Sequence, residues 1–415
     1  MPIVLFVVAA DEGWREQSSD HRDAVRALGI EHGVIVVTRA DRAPENARAV
    51  LEQARRELGG TGLADAPGVI VSGTTGEGID HLRAVLDDLV AGIPIPEADA
   101  PVRLWIDRSF TISGAGTVVT GTLGGGRIST GDELVLVSSR GENDPRTVSV
   151  RGVQSRGESE TEVTPVSRAA INLRGIDSQT VHRGDVVLTP GTFHLTNVVD
   201  VRSVSGEALT EVPRETLVHV GTAALNAVVR PLGGEHARLT FAVDLPLLVG
   251  DHLVLRGTGD KAVLGGVRVL DVDPPELRRR GAGAARAGEL GHMSDGGDPE
   301  AEVLRRGAVR AEELTRMGID LTPVENANAV VVHGPWLLSQ DFITQGRRRL
   351  RAAVSESNKR DPLNPGVPRA AAIEQLSLPD AELLPLLVSS EGLAERDGRV
   401  IDPCLLYTSD AADEE

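Results

Sequence analysis

The residues with the clearest chemical potential stand at the ends of two short β-branched runs. Thr38-Arg39-Ala40-Asp41 closes one run, and Ser72-Gly73-Thr74-Thr75-Gly76-Glu77-Gly78 closes another. A carboxylate fixed at a strand end offers two acceptor oxygens side by side. Guanine carries the matching pair of N–H donors and adenine does not. A loop of small residues nearby lets backbone N–H groups approach the base oxygen. Asp41 is therefore a candidate guanine acceptor, with Thr38 supporting its loop and Ser72 and Gly73 holding the base from the other side. An aspartate after a strand also serves as a plain helix N-cap. The second loop, also at a strand end and in the right order, favours the nucleotide reading. Asp65-Ala66-Pro67-Gly68 matches D-x-P-G, a string that senses a γ-phosphate when it precedes a guanine motif. Here it follows one, and it reads as a turn. No G-x-x-x-x-G-K-[ST] string occurs in the sequence, so there is no P-loop to cradle phosphates and no Ser/Thr of such a loop to hold Mg²⁺. No catalytic residue and no metal ligand is assigned.

The elements that must position these loops follow from periodicity. Strand-like runs at 3–8, 33–37 and 68–71 alternate with helix-patterned stretches at 18–28, 43–58 and 79–89, which predicts βαβ units and a parallel sheet. Residues 92–102, with Pro94, Pro96 and Pro101, read as a linker. From 103 to 190, and again from 192 to 275, short alternating strands with Gly-rich turns predict two small β-barrels or sandwiches. Residues 276–299, rich in Gly, Ala and Arg, read as a connection. Helical stretches at 301–306, 311–317 and 341–358 flank a strand pair at 327–338 that turns at Gly334-Pro335, the pattern of a winged-helix module. A second copy begins near 367 and ends in a hairpin at 393–401. The expected domains are 1–93, 101–191, 192–275, 296–362 and 363–403. Residues 404–415 fit no pattern, read as adapter sequence, and are set aside with Cys404.

Composition narrows the class. Hydrophobic residues are 40% and charged residues 25% of 415, ordinary for a globular protein of several domains. No apolar run approaches the roughly 20 residues a bilayer span needs, and no signal-peptide pattern is present, so a cytoplasmic protein without membrane contact is expected. One cysteine excludes a disulfide framework. A net charge of −18 restricts nucleic-acid contact to a confined surface, and 2% aromatic residues disfavour a base-stacking platform.

Four stretches carry a resemblance that spans about residues 3–400. VLFVVAADEGW (4–14), with Gln17 and His21, RLWIDRSFTISGAGTVVTGT (103–122), LTFAVDLPLLVGDHLVLRG (239–257) and GGVRVLDVDPP (265–275) resemble the selenocysteine-specific elongation factors (SelB), translational GTPases of the elongation factor Tu superfamily. The resemblance implies a multidomain chain: a partial α/β P-loop-type GTPase domain, two β-barrels, then α+β winged-helix modules. The P-loop and switch motifs of the family are absent, and one and a half winged-helix copies stand where the family carries four. A fragment truncated at both ends, unable to hydrolyse GTP alone, is the expectation. A general elongation or initiation GTPase is the alternative within the superfamily, disfavoured by the sequence after Pro275. A non-catalytic tRNA- or RNA-binding adaptor that lacks the P-loop is the alternative outside it.

By the same resemblance the full-length factor binds GTP with Mg²⁺ and works as a monomer. It delivers selenocysteyl-tRNA to the ribosome at UGA codons marked by an mRNA hairpin. A selenol is more acidic than a thiol, whose reference pKa is about 8.5, so the aminoacyl group arrives as an anion that an arginine can select over neutral serine. The resemblance places this pocket in the second domain, with Arg108 and Arg174 as its cations and Asp107 orienting. Arg174 also reads as a surface residue closing a strand, and Asp107-Arg108 as a strand-end ion pair. His182 reads as solvent-facing. The basic runs 278–280 and 347–351 are candidates for RNA phosphates against a linker charge run and a solvated helix face, and Trp336 reads as core.

Overall fold

A computed structural model describes residues 3–403 except 95, 113, 115, 142–144, 260–261, 327–328 and 390–391; Cys404 and the tail lie outside the described residues. The first domain runs β1 (Ile3–Ala9), α1 (Glu16–Ala27), β2 (His32–Thr38), α2 (Pro44–Leu58), β3 (Gly68–Ile70) and α3 (Ile79–Ala91). Its three strands are parallel in the order β1-β2-β3. Side chains alternate across the sheet. Phe6, Val8, Ile35 and Val37 pack against Ala47, Val50, Leu51 and Ala54 of α2. Val34, Val36, Val69 and Val71 pack against α3. Leu5 and Val7 on β1 remain 46% and 54% exposed.

The second domain contains β4 (Arg103–Ile112), β5 (Gly116–Leu123), β6 (Ile128–Ser129), β7 (Glu133–Val137), β8 (Arg146–Ser155), β9 (Glu158–Glu160), β10 (Glu162–Val163), β11 (Ser167–Arg174) and β12 (Val186–Leu188). The order β11-β5-β4-β12-β7-β8 is closed by the β11–β8 pairing. Leu104, Ile106, Val119, Leu123, Val150 and Ile171 fill its interior. The third domain is a closed barrel, β13 (Thr196–Gly206), β14 (Glu215–Val220), β15 (Ala223–Gly233), β16 (His236–Leu245), β17 (His252–Arg256) and β18 (Val263–Asp271), ordered β13-β16-β15-β14-β17-β18.

The stretch read as a bare connection holds a helix, α4 (Ala282–Leu290), fastened to the third domain. Its Arg286 is 3% exposed and bonds Asp200 through Nε (2.8 Å), Asp271 through a terminal nitrogen (2.5 Å) and Glu289 through the other (3.0 Å). Arg238 completes the cluster with a two-pronged contact to Asp200 at 2.7 and 3.0 Å.

These three domains form one unit. Arg103 of β4 forks Asp251 of the third domain at 2.6 and 2.8 Å. Helix α1 lies on β18, and a Cβ at Gly266 would come within 1.9 Å of the Ala27 carbonyl oxygen, so no other residue fits there.

Residues 298–315 and 319 onward form a second unit. It begins with α5 (Pro299–Arg306), β19 (Ala308–Arg310), α6 (Ala311–Arg316), β20 (Val330–His333), β21 (Trp336–Ser339) and α7 (Gln340–Arg360). The strands order as β19-β21-β20, with β19 a strand that the sequence pattern did not show. Then come β22 (Val367–Pro368), α8 (Arg369–Leu376), α9 (Leu384–Val388), β23 (Ala394–Arg396) and β24 (Arg399–Ile401). One core joins both halves: Trp336, Ile343, Leu350 and Val354 pack with Leu376, Leu384, Leu387 and Val400. No helix among the described residues is long and apolar enough to cross a membrane.

Candidate functional site

The two loops at the strand ends of the first domain meet. Ser72 is fully buried, and its hydroxyl donates to Asp41 Oδ1 at 2.6 Å while accepting from the Thr75 backbone N–H at 3.1 Å. The Ala40 N–H donates to the Val71 carbonyl at 3.2 Å, which ties the two strand ends together. The second loop closes on itself through Ser72 N–H to Glu77 O (3.0 Å) and Gly76 N–H to Ser72 O (2.9 Å). Gly78 turns it into α3 with φ +73°, where a Cβ would stand 2.1 Å from the Ile70 oxygen. The Asp41 carboxylate is thus fixed in direction yet exposed. Among the described residues its Oδ2 has no partner, and Oδ1 keeps a second lone pair. That arrangement fits a pair of N–H donors on a guanine edge. Gly73 is exposed with open space around it, as a backbone approached by a base requires.

Thr38 holds the loop differently from the expectation. Its hydroxyl makes no hydrogen bond among the described residues; its carbonyl accepts from Ala10 N–H at 2.8 Å, and Ser72 locks Asp41 instead. Sequence reasoning passed over Arg39, which takes φ +55° between Thr38 and Asp41 and sends its guanidinium to Glu12 (2.8 Å) and Asp11 (3.4 Å). This pairing fastens the turn after β1 to the loop that carries Asp41.

In the second domain the structure brings together part of the expected set and separates the rest. Asp107 does not orient Arg108; it is forked by Arg168 of β11, at 2.6 and 3.0 Å, and accepts from Thr120 Oγ1 at 2.5 Å. Burial pushes the Asp107 carboxyl up, but the Thr120 hydroxyl and the Arg168 guanidinium outweigh it and hold it below the usual aspartate value. Arg108 is exposed, opposite Thr120 across a bulge in β4, and Arg168 stands opposite Thr122 on the same strand. Asp107, Arg108 and Arg168 therefore share one region of the barrel. Arg174 lies elsewhere. It follows Leu173, which pairs with Thr117, so the six residues separating it from Arg168 carry it about 20 Å along β11. Arg168 was missed because only the barrel register reveals a partner 61 residues away.

Of the remaining candidates, His182, Arg278, Arg347, Arg349 and Trp336 have structural partners. The His182 backbone N–H and the Ser139 N–H and hydroxyl all donate to fully buried Asp185, at 2.7, 2.9 and 3.1 Å. Arg278 pairs with Glu276, and Arg279 and Arg280 are exposed. Arg347 and Arg349 donate to the Leu386 and Gln375 carbonyls at 3.3 and 2.5 Å, capping the C-terminal ends of α9 and α8. Trp336 is core, 4% exposed, with Arg310 over its ring at 4.7 Å. Among the described residues no cluster of His, Cys, Asp or Glu could hold a metal ion.

Comparison with known proteins agrees with this architecture. Residues 1–92 match the elongation factor Tu GTP-binding domain, and residues 198–276 match the β-barrel domain of selenocysteine-specific elongation factor. The chain is 28% identical over 400 residues to the selenocysteine-specific elongation factor of Desulfomicrobium baculatum, covering 89% of this chain and 62% of that protein. It is 28% identical over 402 residues to the Escherichia coli K12 protein of the same name, covering 92% and 62%. The chain thus spans about 62% of the length of each of these relatives. The crystal structure of a bacterial selenocysteine-specific elongation factor superposes with a TM-score of 0.79 at 22% identity, over 99% of this chain and 68% of that one. With a strand-end loop pair on an elongation factor Tu-type domain, two closed barrels and mixed α/β modules after them, the chain is similar to the selenocysteine-specific elongation factors in sequence and in fold.

Proposed function

We propose that this chain serves GTP-dependent delivery of selenocysteyl-tRNA to the ribosome at UGA codons marked by an mRNA hairpin. The observation that carries the reading is the Asp107–Arg168 fork beside exposed Arg108 on the second domain. An ionised selenol is a compact anion at neutral pH. Arg108 and the outward face of Arg168, whose side chain is 56% exposed, supply donors for it, and Asp107 fixes the direction of the fork. A seryl group brings no charge and leaves those donors unmatched, which is how such a pocket discriminates. In this reading Arg108 stays a cation of the pocket, Asp107 orients Arg168 in place of Arg108 and Arg174, Arg168 joins as the second cation, and Arg174 stands outside the pocket.

In the first domain Asp41 reads the guanine edge, Ser72 holds Asp41, and Gly73 meets the base through its backbone. Nucleotide bound there brings phosphates and Mg²⁺, for which this sequence supplies no G-x-x-x-x-G-K-[ST] loop. The purified 415-residue chain is accordingly expected to show no GTP turnover above buffer; measurable release of phosphate sinks that expectation.

The test of the main reading is binding of the chain to selenocysteyl-tRNA and to seryl-tRNA, with Arg108→Ala and Arg168→Ala alongside. Preference for the selenocysteyl form, lost at least tenfold in either variant, supports the assignment. Equal binding of the two tRNAs by the unmutated chain overturns it.

A further inference from the structure

Asp107 owes its place to an irregularity in β4. Ile106 pairs with Gly121 and Arg108 with Thr120, so Asp107 is the extra residue of a bulge, and both it and Arg108 stand against Thr120 of β5. The Thr120 hydroxyl donates to Asp107 Oδ1 at 2.5 Å, the same oxygen that accepts one arm of Arg168 at 3.0 Å. The other arm of Arg168 reaches Oδ2 at 2.6 Å. On its other flank Thr120 pairs with Ala170 of β11, whose side chain is a single methyl group, and Arg168 two residues earlier reaches past it to Asp107 along the diagonal of the sheet. With its side chain 56% exposed, a guanidinium held by charge alone has many directions open to it. A carboxylate whose own rotation is stopped leaves the fork one. Thr120 supplies that stop from a strand, through a β-branched side chain with few rotamers. Thr122 stands two residues further along β5, opposite Arg168, and its hydroxyl has no hydrogen bond among the described residues.

We propose that Thr120 is a positioning residue for the aminoacyl pocket: its hydroxyl fixes the Asp107 carboxylate, and through it the direction in which Arg168 presents its remaining donors to an anion. This deepens the delivery reading and rests on it. Thr120 acts through Asp107 and not by touching the ligand. An arginine already turned toward the anion has less side-chain freedom to lose when the anion arrives, so the bond from Thr120 strengthens binding of the charged aminoacyl group. A neutral seryl group makes no use of that direction. The hydroxyl also keeps Asp107 a carboxylate: burial pushes its carboxyl up, and Thr120 leads the groups that bring it below the usual aspartate value. Filling the strand requires only a β-branched shape, which valine shares, whereas positioning requires the donor.

The full chain is compared with its Thr120→Val, Thr120→Ser and Thr122→Val variants in two measurements. One is binding of selenocysteyl-tRNA and of seryl-tRNA. The other is titration of the Asp107 carboxyl by carbon-13 NMR of aspartate-labelled protein, its signal identified by its loss in Asp107→Asn. Thr120→Val is expected to weaken selenocysteyl-tRNA binding roughly fivefold, the worth of one hydrogen bond to a charged group, and to move the Asp107 titration to higher pH. Seryl-tRNA binding is expected to stay as in the parent, which shows the variant to be folded. Thr120→Ser keeps the donor and is expected to stay within about twofold of the parent, and Thr122→Val to match the parent in both measurements. A preference that Thr120→Val leaves intact, or an Asp107 titration that it leaves in place, overturns the positioning role. An equal loss in Thr122→Val overturns it too, by assigning the effect to the strand face and not to one bond. A parent that binds both tRNAs alike overturns the delivery reading itself, and with it the part given to Thr120 in selection.

Discussion

The second and third domains are both barrels tied by arginine–aspartate pairs, yet the pairs do opposite things. In the third domain Arg238, Arg286, Asp200 and Asp271 have side chains no more than 10% exposed. All the carboxylate oxygens of Asp200 and Asp271 accept, Asp271 Oδ1 from the Asp273 N–H at 2.8 Å. In the second domain Arg168 is forked to Asp107 but mostly in water, and Arg174 has no partner among the described residues. A buried cluster with every acceptor filled has nothing to offer a ligand. An exposed pair contributes little to folding, and its donors stay available. Residue type is the same in both barrels, and leftover donor capacity separates structure from function.

The largest expected effect breaks the buried side of this comparison. Arg286→Ala removes the cation that joins α4 to Asp200 and Asp271 and takes one charged donor from each of these buried carboxylates. Breaking one partner out of a buried ionic cluster costs about 3–5 kcal/mol. Denaturant unfolding followed by circular dichroism is expected to show a loss of that size in the transition that reports the third domain. A change under 1 kcal/mol means the helix is held by Leu290 and Met293 packing on Leu232 and Leu270 rather than by charge.

That cluster also marks where the sequence was hard to read. The β-branched runs, the Gly-rich turns and both strand-end loops are local signals, and the parallel sheet and two barrels follow from them. Helix α4 did not show, because AGAARAGEL has the Gly, Ala and Arg content of a linker and it is fastened by one arginine that reaches two carboxylates outside the helix, 86 and 15 residues away. Arg168 failed to show for the same reason: its meaning depends on the register that sets Arg168 beside Thr122 and within reach of Asp107. Arg347 and Arg349 read as a surface charge run because the helix ends they cap fold later in the chain. Asp41 and Ser72 were legible, since strand ends and loop composition place them without knowledge of distant contacts.

A smaller effect sharpens the comparison through pH. Burial, followed by the charges of neighbouring arginines, lowers the pKa of three histidines in the third domain: His219 beside Arg256 and Arg183, His236 beside Arg202, and His252 beside Arg268. Each takes up a proton more readily unfolded, where the ordinary value is 6.5, than folded. The unfolded chain therefore binds more protons below about pH 6.5, and stability falls as pH drops through that range. His252 is the most informative of the three, because its Nε2 accepts from Arg268 at 2.8 Å and its ring lies against Gly29 of the first domain. Thermal midpoints measured from pH 7.5 to 5.5 are expected to decline, and His252→Gln is expected to flatten the decline. An unaltered slope in the variant would assign the pH response to the other two histidines.

The smallest expected effect on folding is the most diagnostic for function. Arg168→Ala breaks an ion pair whose arginine side chain is 56% exposed, and such pairs contribute about 0–1 kcal/mol. Its Asp107 partner keeps the Thr120 hydroxyl, 2.5 Å away, and is 16% exposed, so water can replace the lost donors. Unfolding of this variant is expected to match the parent within about 1 kcal/mol, while its preference for selenocysteyl-tRNA over seryl-tRNA collapses. The opposite pattern, a large loss of stability with the preference intact, would make the Asp107–Arg168 fork a structural clamp like the cluster around Arg286. The two barrels would then differ only in how deeply they bury the same device.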